Sequence, residues 1–344
     1  MKRKLASIQK ITRLDPIDGA DKIEVATILG WSVVVRKGEF SIGEAVVYFE
    51  IDSLLPISPE FEFLAKGSRP KTMILDGGKN ICGYRLKTIR LRGQISQGLV
   101  LPRNILNGAK VYEGDDVSEL LGVYKYEQTI PACLSGTIRA AFPAGIPKTD
   151  EPRIQAYPEL LNKYSNLDFY CTEKIDGSSV TFYLQDGELR VCSRNVDLLE
   201  TPGNSFWQIA RLHDIEKKLK DYGKNIALQG EVFGFGIQGN PLKKTGVNVA
   251  FFNIYDIQKG SYLCHSEFME IFGLMGLPPV PVVEFSCLPK TVEDAVAHAT
   301  RKSSINPDAW AEGVVWRPFV EMRDISIGRL SFKVINPEYL LTEN

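Results

Sequence analysis

The sequence Lys174-Ile175-Asp176-Gly177 sets an amine and a carboxylate on either side of a sharp turn. A lysine amine is a nucleophile only when its ammonium, whose pKa is near ~10.4 in water, is made to give up its proton. Taken alone, the tetrapeptide reads first as a surface lysine entering a hairpin turn. Two glutamates stand among apolar residues in strand-like contexts, Glu231 in Leu228-Gln-Gly-Glu-Val-Phe-Gly and Glu312 in Ala311-Glu-Gly-Val-Val. An unpaired acid is costly in such a setting, so each is either paired structurally or functional. Other chemistry has little support. His213, His265 and His298 are scattered, and the six cysteines contain no C-x-x-C pair, so neither a disulfide framework nor a structural zinc site is expected. Reduced, buried cysteines are the reading for that set.

Lys174-Ile-Asp176-Gly177 resembles the nucleotidyl-lysine motif of the covalent nucleotidyltransferases, the polynucleotide ligases and mRNA capping enzymes. The other strand motifs of that superfamily follow in order. Ser193-Arg194-Asn195 stands where the second motif should. Leu228-Gln-Gly-Glu231-Val-Phe-Gly234 resembles the third, and Phe251-Phe252-Asn-Ile-Tyr255-Asp256 the aromatic-Asp motif after it. Ala311-Glu312-Gly-Val314-Val315 resembles the fourth, and Leu330-Ser331-Phe-Lys333-Val-Ile-Asn-Pro the fifth. The resemblance covers about Arg153 to Leu341, and six matches in the right order set it apart from chance.

The resemblance implies that Lys174 attacks the α-phosphorus of ATP, expels pyrophosphate and carries AMP as a phosphoramidate. A divalent cation, Mg²⁺ or Mn²⁺, and the second cation Lys333 would favour the neutral amine and meet the charge growing on the α-phosphate. Asp176, Glu231 and Glu312 would hold the metal region, through waters as suits Mg²⁺. Asp176 and Glu231, beside Gly177, would also reach the ribose. Adenine would stack on an aromatic of the Phe252–Tyr255 strand with Val314 beneath it. Arg194 would face the ribose or the incoming RNA 5′-phosphate, and Arg153 a phosphate. In these enzymes the fifth motif usually presents two lysines separated by one residue. Ser331 takes the first position here, so a second phosphate contact is either lost or supplied by Arg329.

The elements that must carry these residues fall into two domains, as 344 residues allow. The fold class is α+β: an N-terminal OB-like β-barrel, then a nucleotidyltransferase domain of antiparallel sheets with flanking helices. Residues 1–110 read as short strands cut by glycines, such as Trp31-Ser-Val-Val-Val and Ala45-Val-Val-Tyr-Phe-Glu-Ile. Gly19-Ala-Asp-Lys-Ile-Glu-Val-Ala and Leu91-Arg-Gly-Gln-Ile-Ser-Gln-Gly-Leu-Val-Leu resemble the OB-fold tRNA-binding module of some aminoacyl-tRNA synthetases, over roughly Lys4 to Pro102. Residues 111–150, with Pro131, Pro143 and Pro147, read as a connector. In the remainder, 151–344, strands at Val180, Glu188, Ile226 and Val249 alternate with a helix from about Phe206 to Tyr222 and shorter ones starting near Ser266 and Thr291.

A net charge of −1, with 44% hydrophobic and 24% charged residues, describes an ordinary globular protein and advertises no nucleic acid globally. Locally, Arg69, Lys71, Lys79, Arg85, Lys87, Arg90, Arg92, Arg103 and Lys110 face a single acid, Asp76. Such a run is either a solvated face or a track for a phosphate backbone. Arg85 and Lys87 share one strand face, Arg90 and Arg92 the other unless a bulge intervenes. No apolar run approaches the ~20 residues of a membrane span, and the basic start lacks a signal-peptide core, so a monomer in a reducing intracellular compartment is expected. Superfamily members that cap mRNA or join DNA carry an OB domain after the fifth motif, whereas here the barrel precedes the motifs. That order resembles the ATP-dependent RNA ligases with an N-terminal OB domain, the Naegleria and Deinococcus type, which seal 3′-OH/5′-phosphate nicks in RNA-containing duplexes. The alternatives are a capping guanylyltransferase, a DNA ligase, or an RNA-binding OB protein with a degenerate transferase domain.

Overall fold

The structure, a computed structural model, describes residues 3–75, 79–127 and 132–342. Asp76 and Pro131 of the sequence reading lie outside these. The N-terminal domain is built on one long strand, Ala6–Ile17. Its first half pairs antiparallel with Ala45–Phe49 and its second half with Ala20–Ile28, and a register shift after Ile11 separates the two. Ala6 and Ile8 point into one core and Ile11 into the other, so the shift bends the strand and curls the sheet. Five strands result, in the order Leu99–Pro102, Ala45–Phe49, Ala6–Ile17, Ala20–Ile28, Trp31–Arg36. A second sheet orders Tyr124–Lys125, Ser53–Pro56, Asn80–Arg85 and Lys71–Ile74. The pair forms the half-barrels of an OB fold.

The stretch 111–150, read as connector, divides between the domains. Val117 and Val123 are buried in the N-terminal core, and Tyr124–Lys125 closes its second sheet. Ile138–Ala141 instead pairs with Val196–Leu198 at the edge of the second domain's larger sheet. Both pieces supply strand partners, which proline and charge content do not reveal.

The second domain holds two sheets. Seven strands run Ile138–Ala141, Val196–Leu198, Glu188–Cys192, Ser178–Gln185, Ile226–Gly234, Val247–Asp256, Ser261–Tyr262. Four run Val282–Ser286, Phe169–Lys174, Gly313–Pro318, Phe332–Ile335. Helices Ser205–Leu212 and His265–Met275 cover the back of the larger sheet, burying Phe206, Ile209, Phe268 and Phe272 against Phe182, Leu228 and Phe251. Helix Val292–Ala299, capped by Thr291 Oγ1, lays Ala295 and Ala299 on Cys171 and Trp316 of the smaller sheet. The helix expected over Phe206–Tyr222 is two helices, broken at His213 and at Asp214, whose φ is +49°. All six cysteines are free, but only Cys171 and Cys192 are buried, while Cys82 and Cys287 are exposed.

Candidate active site

The chain crosses from the smaller sheet to the larger between Lys174 and Ser178. Lys174 ends one strand opposite Gly313, and Ser179 pairs with Glu231 in the other sheet. The turn must pass close to the Glu231 strand: a Cβ on Gly177 would lie 2.4 Å from the Val232 carbonyl oxygen. A Cβ on Gly313 would lie 2.1 Å from the Val334 oxygen, so the backbone after Glu312 also needs glycine. Strand alternation then decides what faces the cleft. Phe169, Cys171, Val314, Trp316, Phe332 and Val334 fill the apolar core behind the smaller sheet. Thr172, Lys174, Val315, Arg317, Ser331 and Lys333 therefore take the other face.

Lys174 Nζ donates to Glu312 Oε2 at 2.6 Å. Burial on its own would lower the Lys174 pKa, but Glu312, Glu231 and Asp176 outweigh it and raise it. The residues alone thus hold an ammonium, not the neutral amine that attack requires. Burial, reinforced by Glu312, Asp176 and Glu151 against the pull of Lys174, pushes the Glu231 carboxyl up to about 8. Negative charge is in surplus here, which fits a divalent cation. Among the described residues no three metal-ligand side chains converge to bind an ion directly. Acids that hold a hydrated cation through its waters stand farther apart, and that is the arrangement Asp176, Glu231 and Glu312 can offer.

Lys333 faces the same space. Burial, Lys174 and Arg153 depress its ammonium, while Asp150 at 3.0 Å favours the charged form. Asp150 also accepts from Arg194 at 3.0 Å, so one carboxylate joins the second-motif arginine to the fifth-motif lysine. Burial would raise the Asp150 carboxyl, but Lys333 and Arg194 carry it down to about 2. Glu151 accepts from buried Arg317 at 2.9 Å, and Ser331 Oγ lies 3.5 Å from the same Glu151 oxygen. Tyr339, on the helix Pro337–Thr342, donates to Asp176 Oδ2 at 2.6 Å. Asp150, Glu151, Arg317 and Tyr339 are absent from the sequence reading. The signal for Arg317 is strand alternation: it stands two residues past Val315 and so shares its face.

Several expected positions differ. Val314 is fully buried behind the sheet, and Val315 has the cleft-facing place one residue on. Tyr255 pairs with Ala227, four residues or ~13 Å along the strand from Glu231. Its ring packs with Tyr183, Cys192 and Tyr262. A register shift in the same strand pairing, between Gln229 and Gly230, makes Phe252 an extra residue. Phe252 therefore turns toward Ile175 and Ala250, with the Arg317 guanidinium 5.9 Å from its ring. Arg329 does not stand in for the missing lysine: it pairs with Glu321, donates to Asn253 at 2.8 Å and lies 3.7 Å over the Tyr262 ring.

The basic run is likewise partly committed. Arg85 donates to Asp52 at 2.8 Å, and Arg153 donates to the other Asp52 oxygen at 2.9 Å. Arg85 is thus spent within the N-terminal domain and Arg153 between the domains, rather than facing out, although Arg153 Nε and Nη1 are buried without a hydrogen-bond partner among the described residues. Arg90 pairs with Glu338. Arg92 is exposed at φ +49° in the two-residue turn it forms with Gly93, not on a strand face, and Lys87 is half-buried outside the strand Asn80–Arg85.

A family model described as an OB-fold domain matches residues 5–103, and one described as RNA ligase matches residues 167–335. No curated protein matches the sequence. Over 99% of both chains, the structure is similar to Naegleria gruberi RNA ligase with PPi, at 37% identity and a TM-score of 0.89. The chain belongs to the RNA ligase family. A variant of the Naegleria gruberi ligase with ATP and Mn matches 98% of this chain and 99% of its own at a TM-score of 0.89, and a variant with AMP and Mn matches 99% of each at 0.89, both at 37% identity. In this ligase the half-barrels precede the sheets that bear Lys174, Glu231, Glu312 and Lys333. Membership in the family makes RNA its substrate class, and no described helix is long and apolar enough to cross a membrane.

Proposed function

We propose that this ATP-dependent RNA ligase seals 3′-OH/5′-phosphate ends, at nicks in RNA-containing duplexes, through an AMP carried on Lys174. The observation that supports it most is the Lys174 amine, 2.6 Å from Glu312 and surrounded by Glu231 and Asp176, on the same sheet face as Lys333. In the first step Lys174 Nζ forms a bond to the α-phosphorus and the bond from that phosphorus to pyrophosphate oxygen breaks with its electron pair. Lys174 loses two protons overall, one to become the neutral amine and one as the N–P bond forms, both ending in solvent. Lys333 meets the charge on the α-phosphate. A divalent cation bound through waters to Asp176, Glu231 and Glu312 would offset the acids that now hold Lys174 protonated.

Phe252, beside Ile175, is the aromatic proposed to stack on adenine, with Val315 on the adjoining sheet face. In the second step the RNA 5′-phosphate oxygen takes AMP from Lys174, giving a pyrophosphate-linked end. In the third, the neighbouring 3′-hydroxyl attacks that end and AMP leaves. Arg194, exposed and bonded to Asp150, is the residue proposed to meet the incoming 5′-phosphate. Incubation with α-labelled ATP or GTP, then with nicked RNA or DNA duplexes, tests this reading. Covalent label from ATP and sealing of the RNA nick are expected. Label from GTP alone would point to cap formation.

A further inference from the structure

The Glu231 strand ends at Gly234, and the chain makes a compact excursion over residues 235–246 before returning as Val247–Asp256. This loop is held at both sides. Phe235 N donates to Gly246 O at 3.1 Å, closing its neck. Asn240 Nδ2 donates to Lys244 O and Asn240 Oδ1 accepts from Lys244 N, each at 2.9 Å. Leu242 is buried against Ile175, the residue after the nucleophile, and its carbonyl accepts from Asn306 at 3.2 Å. Gln238, Asn240 and Lys243 all have positive φ. Backbone in this region is unfavourable for ordinary residues and persists only where surrounding contacts enforce it.

The loop is therefore built, and what it presents is an aromatic ring. Phe235 is 70% exposed, four residues past Glu231. A lone exposed apolar residue is common. This one shares its loop with Lys243, exposed, and Lys244, half-buried. Neither lysine is in an ion pair among the described residues. An aromatic face beside two cations is the combination that binds an RNA strand, the ring stacking on a base and the ammonium groups meeting phosphates. Leu242 anchors the loop that carries them against Ile175, the neighbour of Lys174 in the chain. We infer that residues 235–246 form a platform for the RNA strand at the join, with Phe235 stacking on a base and Lys243 and Lys244 on the flanking phosphates. The inference rests on the ligase reading and adds a substrate contact outside the half-barrels and outside the nucleotide site.

The test compares F235A, F235W and K243Q/K244Q in the full chain, using nicked RNA duplex and labelled ATP. F235A should raise the KM for the nicked duplex about tenfold, and F235W should restore it. K243Q/K244Q should reduce the slope of log affinity against log salt by about two. Formation of lysyl-AMP without RNA should proceed in all three at rates close to that of the unaltered chain. An unchanged KM in F235A, or an unchanged salt slope in K243Q/K244Q, overturns the platform. Parallel loss of lysyl-AMP and sealing in F235A also overturns it, since the loop would then serve the nucleotide site. Failure of the unaltered chain to take label from ATP would instead fell the ligase reading beneath it.

Discussion

Asp52 and Arg153 tie the two domains together: the guanidinium donates to the carboxylate at 2.9 Å, and the backbone of Arg153 bridges to Lys333. Lys333 N donates to Pro152 O at 2.8 Å, so the strand bearing the second cation is fixed to the segment that clasps the OB domain. Asp52 has φ +66°, an unfavourable backbone for aspartate, and its side chain accepts from Arg85 as well. Burial would raise its carboxyl, but Arg153, Arg85 and Arg3 lower it to about 2.

Asp52→Asn should cost about 3 kcal/mol, since two buried guanidinium groups lose their anionic partner. A carboxyl held below its ordinary value stabilises at pH above about 4 and loses that contribution as pH falls through about 2. Melting curves should therefore separate the two proteins at pH 7 and converge near pH 2. A constant gap would remove the ion pair as the cause.

Phe252→Ala should raise the KM for ATP about tenfold, the loss of one stacked base. Tyr255→Leu, which removes the ring, should leave it unchanged, since that ring packs among Tyr183, Cys192 and Tyr262. Steady-state adenylylation at varied ATP distinguishes them, and the reverse ranking would return the base to Tyr255.

Glu231→Gln should abolish sealing and yet stabilise the fold at high pH. The folded carboxyl is raised from 4.5 to about 8, so between those values the native state keeps a proton that the unfolded chain has lost. Stability contributed by Glu231 is complete below pH 4.5 and falls as pH rises through about 8. The variant should melt about 3 °C above the parent at pH 8.5 and together with it near pH 5. A lower melting temperature at pH 8.5 would mean that Glu231 is an asset to the fold.

Arg317→Met should destabilise by about 3 kcal/mol because Glu151 is left without its guanidinium. Adding Ser331→Lys should recover most of this, since position 331 reaches the same carboxylate oxygen. Denaturant melts of the single and double variants measure the coupling. Simple additivity of the two changes would show that Arg317 and position 331 do not share Glu151.

The two-part fold, the order of motifs and the cluster around Lys174 are legible in the sequence because each motif is a short run of fixed chemical types in a fixed order. What it hid came from pairing. Val314 and Val315 are chemically alike, and a one-residue difference exchanges the two faces of a strand. Phe252 reaches the cleft through a bulge that no composition signals. Asp52 meets Arg153 across 101 positions of chain, and Tyr339 meets Asp176 across 163, so neither partner is visible locally. Asp150 closes the proline-punctuated stretch that reads as connector and Glu151 opens the domain after it, neither with a motif to mark it, yet they bind Lys333 and Arg317.

Every step proposed for this ligase depends on Lys174 carrying the nucleotide. Intact-mass measurement of the protein after incubation with ATP and Mg²⁺, followed by peptide mapping, tests it most directly. A gain of one AMP located on Lys174 is expected, and no gain in Lys174→Ala. An AMP on another residue, or retained labelling in that variant, would contradict it.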